Sequence, residues 1–109
     1  MSNSFKDFVL EQVAPLPIKI RPMFGSFGLY LEDRFFGIIS EDQLFFKTNH
    51  KTRKDYKKLG SKPFTPSPKQ ILINYYEVPA EVIDNPEILK EWVQKAVRTN
   101  LHGFQTKRG

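Results

Sequence analysis

Apolar and polar positions alternate with two different periods along the chain, and the change of period separates helices from strands. Near the N-terminus, apolar side chains recur at helical spacing, which predicts a helix over residues 4–13. From Ile88, apolar residues recur at i, i+1, i+4, i+5, i+8 and i+9, which predicts an amphipathic helix near the C-terminus. We expect Asp84 to cap this C-terminal helix and Gly103 to end it.

Between these helices, short apolar segments separated by turn residues predict β-strands. The segments lie at residues 18–23, 27–31, 35–39, 44–46 and 71–78. The first contains Pro22, which suits an edge strand because proline cannot donate a hydrogen bond to a neighbour. The connections among the first four segments are too short for a parallel return, so we expect these strands to form an antiparallel meander.

The region between the fourth and fifth strands combines a helix with a proline-bearing connection. We expect Asn49 to cap a helix over residues 50–59, with Gly60 at its C-terminal end. The connection contains Pro63, Pro66 and Pro68, and it is interpreted as an ordered, turn-rich loop.

The resulting element order is α-β-β-β-β-α-β-α. This order predicts an α+β fold, in which an antiparallel β-sheet meander is flanked by helices. The length of 109 residues suits one domain, which we assign to residues 1–103, and residues 104–109 are expected to form a flexible polar tail.

Composition narrows the class of protein. With 39% hydrophobic and 14% aromatic residues, the chain has the composition of a globular domain. The absence of cysteine excludes disulfides and thiolate metal sites, and two histidines leave little for a zinc site. The sequence shows no apolar run long enough to cross a bilayer and no signal peptide, so we expect no membrane partner and a cytoplasmic location.

Positive charge is concentrated in the middle of the chain. The formal net charge is +5, yet the segment Lys47–Lys69 alone carries eight cations and the single acid Asp55. A helical projection of residues 51–59 places the cations on one outward arc about 160° wide. Thr52, Tyr56 and Leu59 form a narrow stripe that is expected to face the sheet.

This arc is the main candidate binding site. The candidate polyanion- or partner-binding residues are Lys47, Lys51, Arg53, Lys54, Lys57, Lys58 and Lys62. Lysine contacts phosphates as a point charge and reads bases poorly, so contact with nucleic acid would involve the backbone. The alternative is a solvated helix face whose lysines serve solubility.

Paired aromatic residues are a second candidate. In each of the pairs Phe45-Phe46 and Tyr75-Tyr76, one ring lies on one face of the strand and the other ring lies on the opposite face. If helices cover only one face of the sheet, the rings on the other face can stack on nucleic-acid bases or form a dimer interface. We favour the second use and expect a homodimer.

Catalytic chemistry has weak support in the sequence. His50 and His102 stand apart, and Gly25-Ser26-Phe27-Gly28 lacks the Gly-Lys-Ser/Thr ending of a phosphate-binding loop. Arg21, Tyr30, His50 and Glu77 are scattered candidates for a small-ligand pocket. We therefore predict no catalytic residues, no metal site and no cofactor.

Several short motifs together resemble the TfoX (Sxy) amino-terminal domain over about residues 5–100. The motifs are Arg21-Pro22-Met23-Phe24-Gly25, Gly28-Leu29-Tyr30, Phe36-Gly37-Ile38-Ile39, Leu44-Phe45-Phe46-Lys47, Pro63-Phe64, Tyr75-Tyr76-Glu77-Val78-Pro79, and a helix with Leu89 and Trp92. The combination is fairly specific, although each motif alone is weak.

The resemblance implies an α+β fold similar to secretion-chaperone-like domains, which are often dimeric. Named members of the family are bacterial regulators of natural competence, and they act as coactivators with the cyclic-AMP receptor protein. The resemblance brings no catalytic residues. Those regulators carry a second, helical domain after this one, which we expect this chain to lack.

These observations favour a small, non-enzymatic regulatory or adaptor domain. It would contact a protein partner, which the resemblance places in the transcription machinery, and it would add contact with the DNA backbone. Direct, non-specific nucleic-acid binding as the main activity is the alternative, and an uncharacterised enzyme ranks last.

Overall fold

Three two-residue turns fold the first half of the chain into the predicted antiparallel meander. The computed structural model describes residues 3–108, and it describes side-chain environments for residues 4–99. The strands are β1 (Lys19–Met23), β2 (Ser26–Leu31), β3 (Arg34–Ser40) and β4 (Gln43–Lys47). Both residues of each turn have positive φ, in Phe24-Gly25, Glu32-Asp33 and Glu41-Asp42. Such turns match the twist of the strands that they join.

The second half adds a short helix and a hairpin to the sheet. These elements are α2 (Arg53–Lys58), β5 (Pro63–Ser67) and β6 (Gln70–Glu77). The sheet has six strands in the order β1-β2-β3-β4-β6-β5, and all neighbours are antiparallel. The prediction of a loop at Pro63–Pro68 was therefore wrong. Prolines are tolerated in β5 because it is an edge strand, where backbone N–H groups on one side need no sheet partner.

Three further helices are α1 (Asn3–Val13), α3 (Ala80–Ile83) and α4 (Pro86–Arg108). The side-chain oxygen of Asn85 accepts a hydrogen bond from the backbone N–H of Ile88 (3.3 Å), so Asn85 caps α4. The prediction that Asp84 caps this helix was wrong, because Asp84 ends α3.

The C-terminal boundary also differs from the prediction. Gly103 does not end α4, which continues to Arg108. A glycine inside a helix lowers the stability of the helix by only about 1 kcal/mol relative to alanine, and the other residues of a long helix offset this loss. Residues 104–108 of the predicted polar tail are therefore helical, and Gly109 lies outside the described residues.

The core lies between the four helices and one face of the sheet. Every helix contributes buried side chains to it, and the sheet contributes residues from β2, β3, β4 and β6. The members are Val9, Val13, Leu29, Leu31, Phe36, Ile39, Leu44, Phe46, Tyr56, Tyr76, Val78, Val82, Ile83, Leu89, Val93, Ala96 and Val97. The α+β fold predicted from the element pattern is confirmed, with one more strand than expected.

The opposite face of the sheet is called the open face below, because no helix of residues 3–108 packs on it. The strand register and the alternation of side chains place Lys19, Arg21, Tyr30, Phe35, Phe45, Lys47, Tyr75 and Glu77 on this face. Within the described part of the chain, no helix is both long and apolar enough to cross a membrane.

Candidate polyanion-binding surface

A hydrogen-bonded cluster at the end of β4 holds α2 against the sheet. The guanidinium of Arg53 donates to the hydroxyl of Thr48 (Nε to Oγ1, 3.2 Å) and to the side-chain oxygen of Asn74 (Nη2 to Oδ1, 3.0 Å). Thr48 is buried, and its backbone N–H and hydroxyl both donate to the backbone carbonyl of Asn74 (2.7 and 3.0 Å). The cluster joins α2 to both β4 and β6.

Hydrogen bonds cap the turn before α2 and the C-terminal end of α2. The side-chain oxygen of Asn49 accepts from the backbone N–H groups of Lys51 and Thr52 (both 2.9 Å), and the Thr52 hydroxyl accepts from the Asn49 N–H (3.0 Å). Such reciprocal bonds form a capping box. At the other end, the N–H of Ser61 donates to the carbonyl of Tyr56 (3.0 Å), and Gly60 has φ 79°. The predicted role of Gly60 is confirmed. Asn49 caps the turn over residues 50–52 that leads into α2, whereas the N-cap of α2 itself is Thr52, which makes no side-chain cap hydrogen bond.

Tyr56 fixes the inner side of α2 to the core. Its ring lies 4.5 Å from the Trp92 ring and 6.1 Å from the Tyr76 ring, measured between centroids, and the residue is 3% exposed. Burial, and then the negative charge of neighbouring Asp55, raise the pKa of the Tyr56 hydroxyl well above its ordinary value. The prediction that Tyr56 faces the sheet is confirmed.

Five exposed lysines lie on α2 and in the segments directly before and after it. We call them the basic surface: Lys51, Lys54, Lys57, Lys58 and Lys62. Among the described residues, no carboxylate lies within 4.0 Å of any of these ammonium groups. The surface therefore presents clustered positive charge on a support fixed by caps, hydrogen bonds and ring packing.

Two other cations predicted for this site have different surroundings. Arg53 is half-buried, and its guanidinium is used by Thr48 and Asn74, so it supports the surface. Lys47 is half-buried on the open face, opposite Tyr75. Burial lowers the pKa of Lys47 from its ordinary value.

Leu59 does not face the sheet as predicted and is 45% exposed. The α-helix ends at Lys58, and Leu59 leaves helical geometry with φ −92° and ψ 8°. A helical projection therefore does not apply to it. The helix is also shorter than predicted, because residues 50–52 form a turn before it.

The aromatic pairs divide between the two faces of the sheet. Phe46 and Tyr76 belong to the core, whereas Phe45 and Tyr75 lie on the open face. Phe45 is covered by Phe64, with ring centroids 4.4 Å apart. Helices cover only one face of the sheet, and the other face carries aromatic rings, of which Phe45 is buried and Tyr75 is half-buried. The homodimer stays a prediction.

Sequence reasoning missed three residues that shape these surfaces. Thr48 and Asn74 anchor α2, but short polar side chains that lie 26 residues apart give no local pattern. Phe35 lies on the open face beside Tyr30, with ring centroids 5.2 Å apart. The alternation of Phe27, Leu29 and Leu31 on the core side could have placed Tyr30, and therefore its cross-strand partner, on the other face.

The scattered candidates for a pocket do not form one site. Arg21 and Tyr30 lie together, with the guanidinium carbon 5.1 Å from the ring centroid, whereas His50 is exposed in the turn before α2. His102 lies outside the residues whose side chains are described. Within the described residues, no group of three or more His, Cys, Asp or Glu side chains is placed to hold a metal ion.

Two comparisons relate the chain to known proteins, and one of them agrees with the motifs. A search of curated proteins finds no match. The family model of the TfoX N-terminal domain matches residues 11–99, which is most of the chain. This matched segment includes the whole sheet, the anchored helix α2 and the helical core up to Thr99. The chain therefore belongs to the TfoX N-terminal domain family.

Proposed function

We propose that this chain is a non-enzymatic regulatory domain that binds an anionic partner through its basic surface. The observation that carries the proposal is the set of five exposed lysines on the anchored α2 segment. Membership in the TfoX N-terminal domain family supports a regulatory role related to competence. The partner would be an acidic protein surface of the transcription machinery, with additional contact to the DNA backbone.

Anchoring of α2 supports this use of the lysines. Five like charges close together repel one another, and a binding partner of opposite charge removes this cost. Because Asn49, Tyr56 and Arg53 fix the segment, little backbone conformational entropy is lost when a partner binds. Lysine side chains would then contact phosphates or carboxylates without reading sequence.

Direct nucleic-acid binding as the main activity is the second candidate. The clustered lysines favour it, because each neutralised phosphate releases a counterion. If all five lysines contact phosphates, the slope of log K against log salt is about −4 to −5. An adaptor that mainly contacts protein would bind DNA with a much flatter slope.

The test is binding to a generic DNA duplex at low and physiological salt, measured by fluorescence anisotropy. The double variant Lys54→Glu/Lys57→Glu is expected to lose at least about tenfold in affinity at low salt, with a salt slope reduced by about two. Both side chains are exposed, so the fold should be retained.

The matched control is Lys95→Glu/Arg98→Glu, which reverses two exposed cations of α4 at the same spacing. It changes net charge by the same amount outside the basic surface. Equal loss of affinity in both double variants would mean that net charge alone drives binding. Unchanged affinity in Lys54→Glu/Lys57→Glu would leave the lysines as a solvated face.

A further inference from the structure

A continuous row of side chains crosses the open face from β1 to β6. The Arg21 guanidinium lies over the Tyr30 ring, 5.1 Å from guanidinium carbon to ring centroid. Centroid distances are 5.2 Å from Tyr30 to Phe35 and 5.9 Å from Phe35 to Tyr75. We call Tyr30, Phe35 and Tyr75 the aromatic row.

The close spacing of the row depends on a missing side chain beneath it. Gly28 lies under Met23 and Phe35, and a Cβ built at Gly28 would be 3.0 Å from both the Met23 Sδ and the Phe35 Cε1. Phe35 can therefore lie close to the backbone of β2, beside Tyr30. The three rings are half-buried, so each still presents part of its surface to solvent.

Cations flank the aromatic row. On the described strands, the register places Lys19, Arg21 and Lys47 on the open face, against a single carboxylate, Glu77. Lys47 lies directly opposite Tyr75 in the β4–β6 register. This face therefore combines flat apolar rings with net positive charge, which suits a ligand that joins flat rings to an anionic backbone.

Two other ligands for this face are a second copy of the chain and an acidic protein segment, and the open face suits both less well. Two copies of the chain that met through their open faces would bring like charges together, since cations outnumber carboxylates there. An acidic protein segment would match the charge but has no general need for three adjacent rings. Bases of a single-stranded nucleic acid stack on aromatic rings, while their phosphates attract the flanking cations.

We propose that the open face binds single-stranded nucleic acid, with bases stacked on the aromatic row and phosphates contacted by Arg21 and Lys47. The row is separate from the basic surface: Tyr75 lies on the open face, whereas its neighbour Asn74 bonds Arg53 of α2. Because stacking uses ring faces, the binding is tolerant of base sequence.

The test compares two fluorescent oligonucleotides of about 12 nucleotides, which is within the range of such sites. One is oligothymidylate, and the other has the same phosphates but no bases. The wild-type chain is expected to bind the thymidine strand at least about fivefold more tightly, which is the lower end of the stacking contribution of one base.

The variant Tyr30→Leu/Tyr75→Leu keeps apolar bulk and removes two rings. It is expected to lose the preference for the thymidine strand while its affinity for the abasic strand stays unchanged. Phe64→Leu is the matched control, because its ring packs on Phe45 outside the row, and it should retain the preference. Circular dichroism and urea unfolding of each variant confirm that the fold is intact.

Three results would overturn the proposal. Equal affinity of the wild-type chain for the two oligonucleotides would show that only charge contributes. Equal loss in Phe64→Leu and in the double leucine variant would show that the row has no special role. Sedimentation showing a wild-type dimer that Tyr30→Leu/Tyr75→Leu dissociates would assign the face to a second copy.

Failure of this proposal is distinguishable from failure of the proposed function. Lys54→Glu/Lys57→Glu is expected to weaken duplex binding while keeping the ratio between thymidine and abasic strands. The double leucine variant is expected to leave duplex binding unchanged, since paired bases are not available for stacking.

Discussion

At the scale of single residues, Phe24 stands out because both its backbone and its side chain have unfavourable surroundings. It is fully exposed at the tip of the β1–β2 hairpin, with φ 43°, and Gly25 follows with φ 80°. Asparagine and glycine are the residues that such a turn prefers, whereas an aromatic residue is strained there. Neither the basic surface nor the aromatic row includes Phe24.

Phe24→Asn is therefore expected to stabilise the protein by about 1 kcal/mol, because asparagine tolerates the left-handed conformation. Urea unfolding measures this change, and duplex binding should be unaffected. A loss of stability would mean that the Phe24 ring packs against the protein in solution.

Tyr56 gives a pH-dependent prediction. In the unfolded chain its hydroxyl ionises near pH 10.0, while in the folded chain burial and the neighbouring Asp55 keep it protonated to higher pH. Above pH 10 the unfolded state loses a proton that the folded state retains, so stability falls as pH rises.

Lys47 contributes a pH dependence of the opposite sign. Because burial lowers its pKa in the folded chain, its contribution makes stability rise with pH up to about 10.5.

Comparison with Tyr56→Phe isolates the tyrosine contribution. Between pH 9 and 11, the wild-type free energy of unfolding is expected to fall by about 1.4 kcal/mol relative to the variant. Urea unfolding at the two pH values gives the difference. Parallel pH profiles of the two proteins would contradict a buried, protonated Tyr56.

At the scale of elements, Gly37 sets how closely β3 packs on β4. A Cβ at Gly37 would lie 2.8 Å from the backbone carbonyl oxygen of Phe45 and 3.1 Å from the Phe46 ring. A backbone atom cannot move aside without disturbing the pairing of the two strands. At Gly28 the nearest atoms belong to the side chains of Met23 and Phe35, which can shift.

Gly37→Ala is therefore expected to destabilise the protein by about 1–3 kcal/mol, the usual range for overpacking. Gly28→Ala is the matched control on the neighbouring strand, with a smaller expected loss. Urea unfolding of both variants decides the matter, and equal losses would mean that the close contact at Gly37 does not limit packing.

Most elements could be predicted from the sequence because their signals are local. Helical spacing, turn residues, the Asn49 cap and Gly60 each depend on neighbours within a few positions. The strand β5 could not be predicted, since its prolines disfavour a strand until β6 supplies a partner. The exposure of Leu59 likewise depends on where α2 ends, and a projection that assumes a continuous helix cannot show that point.

At the scale of the whole molecule, the candidate sites differ in how far the sequence reveals them. The lysines of the basic surface lie between residues 51 and 62, so the charge of this segment was enough to predict a basic surface. The hydrogen bonds of Arg53 could not be predicted, because its partners, Thr48 just after β4 and Asn74 on β6, come together only in the tertiary fold. The aromatic row joins β2, β3 and β6 and depends on strand register.

The molecule therefore carries two separate surfaces on one rigid support. Helices cover one face of the sheet and hold α2 through Tyr56 and Trp92, which leaves the lysines outward. The open face presents rings and cations. Such an arrangement suits a domain that contacts partners, since both surfaces depend on fixed positions of side chains and neither depends on an enclosed pocket.

The most direct test of the account is a nitrogen–proton NMR titration of the labelled protein with a short DNA duplex at low salt. The account predicts that the largest amide shifts fall within residues 51–62 and disappear as salt increases. Large shifts confined to other elements, or no shifts at low salt, would contradict a polyanion-binding role for the basic surface.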